Sequence, residues 1–581
     1  MASLKTAIKN NGSRFFVNLV KTYMLDNNHR VHMELSPSET LELEIINQEK
    51  EQVKAFQSTL TTEALNSLKE QAQRLKYIQN TDDPPDVVAT VPSLQLTDID
   101  PSGVEYEIVV VENAYGSLAT LTKNVDDGSA GIVYIDIGID ISKVDYNNIE
   151  MLPFIVSMLS ENDTTGKTRV DLDRLIGMHT GGIDIALELL PLYEKGQVDY
   201  IASNNKKMRS FLFFRGKCTA EKTESMLNLM KAIAETSLPV TQERAILILE
   251  RKISSYEASI SSSGHSYSVM RMHARYDVQS FFDEKLYGIN QLTSLKTLLD
   301  KATNHWDDFE TRILNVMESF SQMYAAETVI NLTGDLSSLE GIDGEIKQFV
   351  TSLKNGYDRP DLQNFHKTDH PWVQKALEEM PQLAPLRNEG IPISSQVSYV
   401  GKGGILFDYG EKVSGGSCVP LQYLKKGYLW ETVRAKNGAY GVMASLDHTD
   451  GSLFMVSYRD PQLLKTIEAY DNAGQFLTDE RKKGSITKQT IKTAIVGCIG
   501  SIDGSALPPR SVGWLAFRRY LSNSSAQRRQ KWREEILSAK IADFDQFAKR
   551  LNEWKNTTMA VIAPASVLES GDGLELEIIN L

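Results

Sequence analysis

SFLFFRGKCTAEKTESMLNLMKAI, residues 210–233, and SLFMVSYRDPQLLKTIEAY, residues 452–470, are built on one plan. Each opens on an apolar strand, turns through a short basic and polar segment, and continues as a helix. In the first, Met226, Leu229, Met230 and Ile233 fall on one face at helical spacing. In the second, Pro461 stands near the first helical turn, where its missing N–H costs nothing. The two units lie about 240 residues apart, and a repeated strand-to-helix unit points to two copies of one α+β domain.

Working outward, EYEIVVVEN (105–113), GIVYIDIGIDI (131–141) and ETVINLTGD (327–335) read as further strands of the first copy, rich in Val, Ile and Tyr. Helices are expected from about Tyr146 to Ser160 and over most of 241–325. The region 355–390, with Pro360, Pro371, Pro381 and Pro385, reads as an irregular connector. The second copy has a strand region at 394–410, a helix at Val419–Val433, strands in 439–447 and 452–460 joined by a turn at His448–Gly451, and a closing strand MAVIAP (559–564). Ahead of both copies stand a short helix, a strand at His29–Leu35, and two polar helical stretches broken at 60–62 and stopped by TDDPPD (81–86), whose paired prolines cannot continue a helix. The organisation expected is therefore the end of a preceding domain at 1–35, a helical-hairpin linker at 36–86, and two α+β domains at 87–355 and 356–581.

Sixty-two basic residues against 76 acidic give a net charge of −14, which argues against a nucleic-acid binder and favours basic or neutral peptide clients. Cys218, Cys418 and Cys498 are odd in number and far apart, so they form neither a disulfide framework nor a Cys-x-x-Cys metal clip. No apolar run is long enough for a membrane span. Lys5, Lys9, Arg14 and Lys21, with no acid among the first 25 residues, have the charge of a weak transit peptide, but the helix-then-strand pattern that follows reads as folded protein.

Four segments carry a family resemblance: LDNNHRVHMELSPS (25–38), SQVSYVGKGG (395–404), VRAKNGAYG (433–441) and VSYRDPQLLKTIEAYDNAGQFL (456–477). Together they resemble the presequence-protease branch of the pitrilysin/insulinase metallopeptidases, and the chain resembles only the C-terminal half. The resemblance implies four homologous α/β sandwich domains in two halves, joined by a helical hairpin and closing around a chamber. It places the catalytic zinc and its His-x-x-Glu-His motif in a complementary N-terminal half. It also implies that Arg434 and Tyr440 reach the peptide backbone near the scissile bond. Arg434 has the planar fork to bind carbonyls or a carboxylate, and the Tyr440 phenol can donate to a carbonyl or a developing oxyanion. Lys436-Asn437-Gly438 supplies the turn between them.

None of the nine His lies in His-x-x-Glu-His or His-Glu-x-x-His. By similarity of pattern, Pro153, Val156 and Ser157 of MLPFIVSML (151–159) stand where the ligands and base would be, so the chain is expected to hold no metal and to be inactive alone. His29, His32 and Glu34 form His-x-x-His-x-Glu, but on a strand the two His point to opposite faces. GKGG (401–404) lacks the phosphate-loop spacing and reads as a strand kink; GGSC (415–418) is not a nucleophile elbow; SSSGHSYS (261–268) has no third member of a triad; and SAQRRQKWREE (525–535) reads as a solvated basic helix face.

The function implied is the non-catalytic half of a zinc metalloendopeptidase that encloses short unfolded peptides, such as cleaved targeting peptides. The partners implied are the N-terminal catalytic half and the peptide, and the compartment is the mitochondrial matrix, with plastid or cytosol as alternatives. The competing expectation is a zinc-free pseudoenzyme serving as a scaffold subunit.

Overall fold

The computed structural model describes residues 2–581 except 37, 39, 82, 93, 117–118, 165, 205–206, 235–239, 324–327, 353–369, 381–387, 556 and 570–573. The chain falls into two compact units, Met1–Val88 and Ala89–Leu581. In the first, helices α1 (Leu41–Thr59) and α2 (Thr62–Asn80) are separated by two extended residues, Leu60 and Thr61. The Thr61 side chain accepts a hydrogen bond from Ala64 N and starts α2. The strand expected at His29–Leu35 is not formed: the segment is extended but pairs with nothing among the described residues. Its alternation is intact, with Val31, Met33 and Leu35 at 86%, 74% and 84% exposure, so what the segment lacks is a neighbouring strand to complete its backbone hydrogen bonds.

The second unit holds two six-stranded sheets. The first contains β1 (Val109–Val111), β2 (Thr120–Val125), β3 (Ile132–Asp140), β4 (Ile183–Pro191), β5 (Met208–Thr219) and β6 (Thr328–Gly334), in the order β1-β2-β6-β3-β5-β4. The second contains β7 (Asn388–Pro392), β8 (Tyr399–Ile405), β9 (Gly441–Leu446), β10 (Ser452–Tyr458), β11 (Thr557–Ala563) and β12 (Leu576–Ile578), in the order β12-β7-β11-β8-β10-β9. Apart from the edge strands β1 and β12, the sheets match strand for strand. β2 runs parallel to β6 as β7 does to β11, and the remaining neighbours are antiparallel in both. The α+β expectation with two homologous domains holds. The two stretches that open the sequence reading become equivalent β5 and β10, each leading into a helix. The connector 355–390 lies largely outside the described residues. Its helix Pro371–Glu379 seats Trp372, Val373 and Ala376 in the first core.

Each sheet buries both faces, which explains why β5 reads as an unbroken apolar run. Leu212 and Phe214 enter the first core with α3 (Leu152–Glu161) and α4 (Thr223–Ala234), while Phe211 and Phe213 pack on the other side against Phe517 of helix Pro509–Leu521. That helix belongs to the second half of the unit. The exchange is reciprocal. Helix α5 (Gln242–His273) begins in the first core with Ala245, Ile248 and Leu249 and ends on the second sheet, where Ile260 packs with Tyr399 and Ile562 and Met272 packs with Phe454. It bends at Ser263 (φ −127°), next to Gly264, whose imagined Cβ would lie 2.3 Å from the Tyr399 ring. GKGG (401–404) is not a kink but regular β8; Gly401 makes room for Ser268 and Gly403 for Phe454. SSSGHSYS lies in the bend of α5.

The basic stretch 525–535 is also more than a solvated face. On the helix α7 (Ala526–Leu537), counted after α6 (Leu463–Asp471), Arg528 and Arg533 are each 3% exposed. Arg533 forks onto Asp503 at 2.6 and 3.1 Å and onto the Asp100 carbonyl, and Arg528 lies between the Tyr193 and Tyr200 rings at 4.1 and 4.0 Å. The buried side of the helix thus fastens the two halves of the unit together. No helix among the described residues is long and apolar enough to cross a membrane.

Candidate functional site

After the helix Cys418–Lys426 the chain winds into a π-helical turn, Trp430–Lys436, anchored by buried Val433. Gly438, at φ +83°, ends it: its N–H donates to Arg434 O at 3.0 Å and Ala439 N–H to Val433 O at 3.1 Å. The chain then enters β9, with Tyr440 one residue before the strand and its N–H donating to Tyr458 O at 3.0 Å. This short loop brings Arg434 and Tyr440 to one place. The guanidinium carbon of Arg434 lies 3.9 Å from the centre of the Trp430 ring and 5.8 Å from that of Tyr440. Tyr440 is 65% exposed and meets Tyr458 edge-on at 5.6 Å. Stacking on an indole face leaves the edge of a guanidinium, with its N–H donors, free to bind carbonyls or a carboxylate.

Sequence reasoning missed Trp430, the platform on which Arg434 rests. The available signal was its position four residues earlier, which on any helical turn places it beside Arg434. It also missed Arg459, exposed beside Tyr458 and held at φ +51°, a conformation in which a side chain is strained.

The place where zinc ligands would stand does not fit a metal. Pro153 sits in the first turn of α3 and is buried; Val156 offers no donor; Ser157 Oγ bonds to Pro153 O and receives the Lys252 ammonium at 3.0 Å. Burial pushes Lys252 below its ordinary value while the Glu161 charge holds it up. Arg244 and Arg251 also bind Glu161, so this end of α3 already holds cations.

A second cluster was not foreseen. His273, at the end of α5, and Asp447 and Asp450, in the β9–β10 turn, present ligand atoms within 4.8 Å of one another, the one such group among the described residues; His29, His32 and Glu34 form none. The protein's own groups occupy these donors. Asp450 Oδ2 pairs with His273 Nε2 at 2.6 Å, Asp450 Oδ1 accepts from Ser452 N and Oγ, and Asp447 Oδ1 accepts from Thr449 N. Burial opposes the imidazolium, but Asp450, Asp447 and Asp277 outweigh it and lift His273 to about 9. Burial raises neighbouring Asp277 to about 7, against the pull of His273. The arrangement is a buried ion pair.

Among known proteins, a family model described as "PreP C-terminal domain" matches residues 388–566, and the model of the region associated with subfamily C of the M16 peptidases matches 35–298. Presequence protease 1, chloroplastic/mitochondrial, of Arabidopsis thaliana is 28% identical over 98% of this chain and 50% of its own length. Protein HypA of Clostridium perfringens is 25% identical over 95% and 52%, and the mitochondrial presequence protease of Saccharomyces cerevisiae 23% identical over 82% and 45%. The chain spans about half the length of the curated relatives it matches. The fold is similar to those of a conserved protein from Enterococcus faecalis V583 (TM-score 0.51, 13% identity, 80% of this chain and 99% of that one) and a protease from Helicobacter pylori (0.50, 14%, 79% and 100%).

Proposed function

Because this chain is a presequence-protease-like M16 protein corresponding to the C-terminal half of such proteins, we propose that it is the non-catalytic half of a zinc metalloendopeptidase. In this reading it encloses short unfolded peptides and contacts them through Arg434 and Tyr440, while a complementary half supplies zinc and the general base. The observation that carries the reading is the juxtaposition of half-buried Arg434 and exposed Tyr440 on the Trp430 platform, within the segment matching the PreP C-terminal domain. Two further features support it. The α3 residues cannot ligate a metal. The Met1–Val88 unit leaves Tyr23, Met24, Leu25, Val31 and Met33 more than 60% exposed, apolar surface suited to a partner. The domain organisation we propose is the tail of a preceding domain at 1–35, a linker at 36–86, and sandwich domains at about 87–355 and 356–581, with Pro371–Met380 packed on the first core. The compartment we propose is an organellar interior, the mitochondrial matrix or the plastid, in keeping with the named plant and yeast relatives.

The test is reconstitution with a zinc-bearing half. Arg434→Ala and Tyr440→Phe should each slow cleavage of an unstructured peptide by roughly 100-fold, the usual effect of losing one donor to a developing oxyanion, with assembly and zinc content unchanged. Full cleavage by both variants would leave the chain a scaffold instead.

A further inference from the structure

Trp430, Arg434, Tyr440, Tyr458 and Arg459 form one continuous run of cation–ring and ring–ring contacts. Arg434 lies over Trp430 and beside Tyr440, Tyr440 meets Tyr458 at 5.6 Å, and the Arg459 guanidinium lies 5.4 Å from the Tyr458 ring centre. The run begins and ends in a guanidinium–ring pair. Among the described residues neither guanidinium is paired with a carboxylate, although the chain carries a net charge of −14. The nearest acid in sequence, Asp460, is fully buried and committed elsewhere: its Oδ1 accepts from Gln462 N at 2.8 Å and its Oδ2 from Thr466 Oγ1 at 2.6 Å.

The backbone at Arg459 is the second observation. Its φ of +51° is one of five positive values at non-glycine residues among those described, and glycine would adopt it without strain. The surroundings hold it there. Tyr440 N–H donates to both Tyr458 O and Arg459 O, and Asp460 and Ser398 exchange backbone hydrogen bonds at 2.8 and 2.9 Å. The left-handed residue lets the chain turn from β10 to buried Asp460 while leaving the Arg459 side chain exposed. Its one polar partner of note is the Tyr399 phenol, which burial raises and Arg459 draws down. That contact leaves most of the five guanidinium donors unused.

We infer that Arg459 is a second peptide-contacting cation, which with Arg434 brackets the Tyr440–Tyr458 rings and receives a carboxylate of the bound peptide. This deepens the peptide-contact reading of the same site and rests on it. The shared chemistry is a carboxylate, from either the peptide's C-terminus or an acidic side chain. The rings provide the apolar floor beneath the adjoining residues, and the two forks fix the position of the anionic group.

The test uses the full chain and fluorescence anisotropy with three labelled versions of one unstructured peptide. The first lacks Asp and Glu and has a free C-terminal acid; the second is its C-terminal amide; the third is the amide with a single internal Glu. The wild-type chain should bind the first or the third about tenfold more tightly than the second, and which of them does so identifies the source of the carboxylate. Arg459→Gly should abolish this preference and still bind the amide, with a thermal midpoint equal to or above that of the wild type, because glycine relieves the strain. Arg459→Asn, which also tolerates the left-handed region, should behave alike. A purely structural Arg459 would give no loss of preference. If Arg434→Ala weakens binding while Arg459→Gly keeps the full carboxylate preference, this inference is overturned and the peptide-contact reading stands. If the wild-type chain binds none of the three, that reading falls and this inference with it.

Discussion

Arg528 and Arg533 are equally buried neighbours on one helix, yet their surroundings predict different energetics. Arg533 has its donors taken by Asp503 and the Asp100 carbonyl, whereas Arg528 Nε and Nη1 have no hydrogen-bond partner among the described residues. Removing Arg533 strands a carbonyl and a carboxylate, so Arg533→Met should destabilise the protein by about 2 kcal/mol or more. Arg528→Met replaces a poorly satisfied buried cation by a side chain of similar reach, and should cost less than half as much. Urea denaturation of the two variants checks the order; equal losses would contradict it. Neither role was legible in SAQRRQKWREE, because charge patterning along a helix does not reveal what packs against its other side. Arg434 and Tyr440, by contrast, could be singled out from VRAKNGAYG, since the turn residues between them are local. Trp430 was legible in principle, but Arg459 was not: a left-handed backbone at an arginine has no sequence signature, and the tertiary hydrogen bonds on either side impose it.

Among the elements, α5 carries the most consequence, since it lies in both cores. Its bend is shaped by the absence of a side chain at Gly264. Gly264→Ala would drive a methyl into the Tyr399 ring, and overpacking of this kind costs about 1–3 kcal/mol. Gly341→Ala, with nothing within 4 Å of the added methyl, should cost far less, and comparison of the thermal midpoints checks the difference. The far end of α5 carries a pH dependence. His273 is raised to about 9 when folded, so its contribution is complete below its ordinary value near 6.5 and disappears as pH rises towards 9. Asp277, raised to about 7, acts with the same sign at lower pH: the folded state holds its proton more tightly, and stability falls as pH climbs from about 4 to 7. Thermal midpoints should therefore fall with rising pH across both windows, by at most about 1.4 kcal/mol per group per pH unit. His273→Gln should flatten the upper window and Asp277→Asn the lower, while the Asn keeps the helix cap that Asp277 gives Ser280 N. An unchanged slope in both variants would remove these groups as the cause. The strands and helices that meet here were largely legible from periodicity, but the pairing of His273 with a turn 177 residues later was not.

At the scale of the molecule, the two sheets share one topology and each lends the other a covering helix. The repeat was legible in the matched stretches 210–233 and 452–470; the exchange of helices was not, because burial of both faces of a strand does not say which helix covers each. It follows that neither domain is self-sufficient. A chain ending near residue 355 would uncover Phe211, Phe213 and Val329, which Phe517 otherwise covers, and should be recovered aggregated or as a dye-binding, loosely packed state, whereas residues 89–581 should unfold in one cooperative transition. Two separable transitions in the longer piece would argue against this. The sheet order also constrains the timing of folding during synthesis. β6 lies between β2 and β3, so Thr120 waits for Val329 before its ladder can close. At roughly 5–20 residues per second this is a wait on the order of 10–40 s, during which β2 and β3 have left the ribosome without the strand that belongs between them. β11 completes the second sheet in the same way, close to the last residue of the chain. The nascent protein therefore presents unpaired strand edges for most of its synthesis, which makes it a natural client of chaperones that shield extended chain.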